Sequence, residues 1–155
     1  MAKKKKKKQK QESSRVPGIG ELLATSARVF SELTAAKMEA RGHQGVRASH
    51  LAVVRHMDPD GTRISELGRR AGMTKQAMGQ LVRELETLRY VALWQDPTDR
   101  RAKLVTYTET GQRLASDVAD ALSEVHSQLK EALGKGGAKE LRKLLGKVAA
   151  AFRAS

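Results

Sequence analysis

Cysteine is absent from this 155-residue chain, which excludes disulfides, thiolate zinc sites and thiol-based redox sensing. Aromatic residues are almost as scarce, at one Trp, two Tyr and two Phe. Aliphatic helix packing must therefore build a lean core, and Tyr90, Trp94 and Tyr107 are too few to form a stacking platform for unpaired RNA bases. No apolar run approaches the roughly 20 residues of a membrane span, and the N-terminus lacks the apolar stretch of a secretory signal. A cytoplasmic protein with no membrane partner is expected. The four histidines, His43, His50, His56 and His126, are scattered, and neither a Gly-rich phosphate loop nor a paired-carboxylate spacing occurs. His50 and His56, six apart on one helix, would point to opposing faces and cannot share a metal there. The expectation is of no enzyme, no cofactor and no metal.

Acidic residues are the scarcer charge, 17 against 30 basic, for a net charge of +13. The excess is unevenly placed. Residues 1–15 hold eight Lys or Arg and one Glu, which is about half of it. A run such as Lys3 to Lys8 repels itself and cannot join a core, so residues 1–16 are expected to be a disordered tail that attracts phosphates without regard to sequence or simply keeps the chain soluble. Residues 62–103 carry nine basic and five acidic residues, whereas 104–133 carry two and five. The middle of the chain is basic and the segment after it acidic.

That basic middle holds the most telling pattern. Ser65-Glu66-Leu67-Gly68-Arg69-Arg70-Ala71-Gly72-Met73-Thr74-Lys75-Gln76-Ala77-Met78 reads as two helices turning at Gly72, a residue that tolerates positive φ. Leu67, Ala71, Met73, Met78 and Leu81 fall where the helices must touch, with small Gly68 at a close approach. Thr74, Lys75, Gln76, Gly79, Gln80 and Arg83 are left outward, most of them donors and acceptors suited to phosphates and major-groove base edges. An ordinary amphipathic helix pair would share these features. Val91 to Gln95 and Ala102 to Tyr107 then read as strands around the turn Asp96-Pro97-Thr98-Asp99-Arg100-Arg101. A hairpin tip bearing Arg100 and Arg101, with Asp99 orienting an arginine and Lys103 following, can reach a minor groove or flanking phosphates. A solvated charged hairpin is the alternative.

Helical spacing continues on both sides. Ile19 to Arg41 reads as a long first helix after Pro17-Gly18, and Arg47 to Met57 as a shorter second one closed by Asp58-Pro59-Asp60-Gly61. Thr108 is a plausible N-cap for a helix running to about Leu133. On it Ala115, Val118, Leu122, Val125, Leu129 and Ala132 form a heptad seam that needs a partner. After Gly134, Gly136 and Gly137 the apolar pattern resumes with Leu141, Leu144, Leu145, Val148, Ala149 and Phe152. Packing between subunits is expected from Leu22, Val118, Leu122, Val125, Leu129, Leu141, Leu145, Val148 and Phe152, with packing inside one subunit as the alternative.

The segments Thr74 to Glu86, Tyr90-Val91, Asp96 to Val105 and Thr108-Glu109-Thr110-Gly111 together resemble the MarR family of bacterial transcriptional regulators. The resemblance implies a mainly α fold with a small β-wing, in which a winged helix-turn-helix module (47–107) is flanked by dimerisation helices (17–44 and 108–155). It implies a homodimer, a repressor on a palindromic operator of double-stranded DNA, associated with the nucleoid when bound. Major-groove contacts would fall on Thr74, Lys75, Gln76, Gln80 and Arg83, and minor-groove contacts on Arg100 and Arg101. The family's peroxide-sensing branch works through cysteine and does not apply here. A small-molecule effector is implied in a crevice near Phe30, Met38, His50 and Met57, residues for which a place in the core is the favoured reading. Two residues depart from the pattern: Gly79 stands where a hydroxyl is common, and Arg89 where glycine commonly ends the helix, which would put a side chain at positive φ. An architectural DNA binder driven by the basic tail is the competing function.

Overall fold

The computed structural model describes residues 16–99 and 101–153, the last two of these by backbone alone. The Lys-rich tail, Arg100 and the Phe152 side chain lie outside the described residues. The chain divides into two compact units, residues 1–30 and 31–155. The first contains the opening of helix α1 (Ile19–Ala40), begun after Pro17 and Gly18, with Ile19, Leu22 and Leu23 exposed and Phe30 partly buried.

In the second unit α1 ends with Thr34 and Met38 buried. A short 3-10 turn (Ala48–His50) leads into α2 (Leu51–His56), which buries Leu51, Val53 and Val54. Strand β1 (Thr62–Arg63) runs directly into α3 (Ile64–Ala71), and α4 follows (Lys75–Thr87). The corner between α3 and α4 is closed by Gly72 at φ 65° and by the Met73 N–H donating to the Gly68 carbonyl at 2.8 Å. A side chain on Gly68 would meet the Met73 carbonyl at 3.0 Å, so the corner also needs a residue without one there. Leu67, Met78, Leu81, Val82 and Leu85 fill the space between the two helices and the rest of the core.

Strands β2 (Val91–Gln95) and β3 (Lys103–Tyr107) pair antiparallel, Leu93 opposite Val105, and β1 joins the other edge of β3 through Thr62 opposite Val105 and Arg63 opposite Leu104. The fold is mainly helical with one small three-stranded antiparallel sheet, order β1-β3-β2. No described helix is long and apolar enough to cross a membrane.

The last helix, α5 (Glu109–Arg153), is broken at Gly134 (φ 70°, ψ 164°). Its first arm contributes Leu114, Val118 and Ala121 to the core, and Val125 is buried too. This corrects the subunit-interface expectation for Val118 and Val125: at 3% exposure each, they pack inside the chain and have no surface left for a partner. The seam finds its partner within the unit, because the end of α1 and the following loop are fastened along it. Lys37 and Arg41 pair with Glu124, Arg41 donates to the Asp117 carbonyl at 2.8 Å, and buried His43 holds Asp117 at 2.7 Å. Beyond the break, Leu141 and Leu145 return to face Leu129 and His126 across a cleft of about 230 Å³. Leu133, Leu144 and Val148 remain exposed.

The start of α5 is clamped to the corner between α4 and β2. Arg89 closes α4 at φ 62°, the strained non-glycine position expected from the sequence, and the Tyr90 N–H donates back to the Leu85 carbonyl at 2.9 Å. The Thr108 hydroxyl donates to the Arg89 carbonyl at 2.7 Å and accepts the Gly111 N–H at 3.0 Å. A Cβ on Gly111 would stand 1.8 Å from the Tyr90 carbonyl oxygen. Gly111→Ala is therefore expected to cost about 3 kcal/mol or more through overpacking against backbone. Arg89→Gly should gain about 1 kcal/mol by relieving the left-handed strain. Urea unfolding of both variants measures the two effects, and their opposite signs check the clamp.

Candidate nucleic-acid interface

Helix α4 begins at Thr74, whose hydroxyl oxygen accepts the Ala77 N–H at 3.1 Å. That hydroxyl is engaged as an N-cap, a role that satisfies one of the orphan donors of the first turn. Lys75, Gln76, Gln80 and Arg83 are all exposed on α4, so the basic and amide groups singled out in the sequence share one solvent-facing surface. Gly79 does not project with them. It is buried, lying between Lys75, Gln76 and Arg83 over the Ile64 side chain.

Beneath this surface runs a support that sequence reading missed. Glu84 accepts from Gln80 at 3.0 Å on one carboxylate oxygen, and from His50 at 2.8 Å and Arg47 on the other. Arg83 donates in turn to the Gln80 side-chain carbonyl at 3.2 Å. His50 is 1% exposed, and its Nδ1 accepts the Arg47 N–H at 3.1 Å, which leaves Nε2 to donate to Glu84. His50 lies in the interior, the place favoured for it over an effector crevice. The imidazole is a buried strut that orients the outward residues of α4. Met38 and Met57 likewise belong to the hydrophobic core. An open depression of about 650 Å³ is edged by Arg41, Asp120, Ser123 and Glu131. Nothing local in the sequence tied His50 to Glu84, which lie 34 positions apart.

The wing is fixed by a residue that the sequence showed only as a turn former. Asp96 is 5% exposed and accepts Arg63 Nε at 2.6 Å, the Thr98 N–H at 2.7 Å and the Thr98 hydroxyl at 2.6 Å. The Arg63 guanidinium also reaches the Thr98 hydroxyl at 3.0 Å. These donors, the Arg63 guanidinium foremost, hold the Asp96 carboxyl well below the usual carboxylate range. The Asp99 carboxylate accepts the backbone N–H of Arg101 at 3.0 Å and so shapes the tip. Arg101 and Lys103 are exposed. Because Arg63 immediately precedes α3, a single charge pair ties the hairpin to the helix-turn-helix. The useful signal was an arginine at the end of one strand and an aspartate at the end of another, legible only once the sheet order is known. Of the aromatic residues, Tyr90 is buried and Trp94 is exposed with its indole N–H donated to Thr106 at 3.0 Å.

A helix-turn-helix corner, an exposed polar face on the second helix and a wing pinned beside it are the parts of a winged helix, and the MarR-family model matches residues 44–102. Residues 44–102 are similar to the MarR family, and the chain shares its fold with solved MarR-type regulators. A MarR-type regulator from Methanosarcina mazei Go1 is 20% identical, with 85% of this chain and 94% of that one covered at a TM-score of 0.74. A MarR-family regulator from Rhodococcus sp. RHA1 is 24% identical over 84% and 91%, TM-score 0.69. CouR from Rhodococcus jostii RHA1, solved bound to p-coumaroyl-CoA, is 25% identical over 84% and 91%, TM-score 0.67. Comparison with curated protein sequences gave no match. Several of the solved structures that share this fold are described as transcriptional regulators.

The strut beneath α4 has a pH signature. Hydrogen bonds from His50, Gln80 and Arg47, the first strongest, lower the Glu84 carboxyl to about 2. A carboxyl depressed in the folded state contributes stability that is fully present above its unfolded value of about 4.3 and is lost as pH falls toward the folded one. Wild-type stability should fall more steeply between about pH 4 and pH 2 than that of Glu84→Gln. Thermal melts across that range are the check, and parallel curves would remove the strut from the account.

Proposed function

We propose that the protein is a sequence-specific repressor that binds a palindromic operator as a homodimer. Lys75, Gln76, Gln80 and Arg83 read the major groove from α4, Thr74 sits at its leading end, and Arg100, Arg101 and Lys103 on the wing reach the minor groove or flanking phosphates with Asp99 shaping the tip. The observation that carries this reading is the Arg63–Asp96 pair at 2.6 Å. A wing that served only solubility would need no fixed orientation relative to α4. Selection of bound fragments from random DNA should return a two-fold symmetric site. On that site, alanine at Gln80 or Arg83 should cost about 1 to 3 kcal/mol and change the preferred bases nearby, with little loss on scrambled duplex. Equal losses on both DNAs would reduce α4 to a phosphate contact. Deleting residues 1–12, by contrast, should weaken both kinds of binding by similar factors and flatten the salt dependence by about 0.9 per lost phosphate contact. Loss of site preference on that deletion would favour a tail-driven architectural binder.

The dimer rests on what remains apolar and exposed: Leu22 on α1, and Leu133, Leu144, Leu145 and Val148 at the far end of α5. A single chain leaves these side chains in water, and a symmetric partner would cover them. Leu144→Glu with Val148→Glu should therefore convert a particle of twice the 17.0 kDa chain mass into a monomer in sedimentation. A wild-type chain that sediments as a monomer at micromolar concentration would overturn the dimer. The reading extends to a small-molecule effector. CouR is solved with p-coumaroyl-CoA, and the open depression beside Arg41 is the place on this chain proposed for such a ligand.

A further inference from the structure

Gly79 is the one glycine of residues 47–107 that the fold itself does not require. Gly61 and Gly72 have positive φ, and a side chain on Gly68 would press on the Met73 carbonyl. At Gly79 the backbone is helical, and an added Cβ would meet only Arg83 Nη1 at 3.5 Å and Ile64 Cγ2 at 3.9 Å, which are ordinary contacts. Yet glycine is, after proline, the residue least suited to a helix interior. Its use here weakens the helix without easing any contact inside the protein. What the glycine does change is the surface that α4 presents.

Gly79 and Ile64 lie at the floor of an open depression of about 460 Å³ rimmed by Lys75, Gln76 and Arg83, and the missing side chain deepens it at that point. The floor offers no hydrogen bond, because the mid-helix N–H groups are already committed to the helix. A polar group seated on that floor would lose water and would have to draw any hydrogen bond from the rim, where Arg83 Nη1 stands 3.5 Å from the Cβ position. One group on a major-groove edge is apolar, the C5-methyl of thymine. Resting on the proposal that α4 reads the major groove, we infer that Gly79 and Ile64 form a thymine-specific notch, while the rim contacts the neighbouring base edges. Gly79 is thereby a specificity-determining residue by its absence of a side chain.

The test replaces each thymine of the selected operator, one at a time, by deoxyuridine, which removes only the methyl group. For the wild-type chain one thymine per half-site should be methyl-sensitive, with affinity falling about fourfold, the size of one buried methyl. Gly79→Ala has room to fold and should melt about 2–6 °C higher. It should bind the thymine operator at least fourfold more weakly and no longer distinguish thymine from deoxyuridine at that position. Gly79→Ser gives a second filled notch and should behave in the same way. If wild type prefers a defined site but no thymine in it is methyl-sensitive, or if Gly79→Ala keeps the discrimination, the notch is overturned while base reading by α4 stands. If wild type selects no site at all, base reading itself fails and the notch falls with it.

Discussion

The arrangement of this molecule turns on the ion pair between Arg63 and Asp96. Arg63 is at once the last residue of β1 and the residue before α3, and Asp96 opens the turn of the wing. Their contact makes the helix-turn-helix and the hairpin parts of one body, with β1 laid against β3 as a second tie. Asp96 is almost fully enclosed, and each of its acceptor positions is filled by Arg63 or by the Thr98 and Asp99 region. An ionised carboxylate removed from water needs this degree of satisfaction, because an unpaired one would be costly to bury.

A second polar network does for α4 what the first does for the wing. The chain from buried His50 through Glu84 to Gln80 and Arg83 orders groups that would otherwise be long, rotamer-rich side chains on an open surface. Fixing such side chains before they meet a ligand lowers the ordering cost on binding. Both networks are partly buried and local to the proposed reading surface, whereas the lysine tail holds its charge along a short run of sequence. Positioned and unpositioned charge thus coexist in one chain, and only the first can carry sequence information.

Much of the fold was legible because it depends on periodicity and on residues with few conformational options. Gly72 at the corner and the Thr108 cap were read from residue type and the strained Arg89 from the resemblance that puts glycine there, and the structure places each accordingly. The polar networks were not legible, since Arg63 with Asp96 and His50 with Glu84 meet only after the chain has closed loops of more than thirty residues. The heptad seam misled for a related reason. A stripe through Val118 and Val125 reports that some apolar face will cover it, and the pattern is the same whether that face belongs to the same chain or to a second copy. Gly79 was read as a small outward residue, when its meaning lies in the hollow it leaves.

If the wing and α4 are held as a single positioned reader, Asp96→Asn exposes it directly. The substitution keeps the shape of the side chain and removes a negative charge, so simple electrostatics requires non-specific DNA binding to stay the same or to strengthen. The decisive measurement is the ratio of affinities for the selected operator and for scrambled duplex at one salt concentration, in wild type and variant. A positioned wing gives a ratio reduced at least tenfold, about 1.4 kcal/mol, even as non-specific binding holds or rises. A variant that binds both DNAs more tightly with an unchanged ratio would contradict the claim and leave the wing as nothing more than added positive charge.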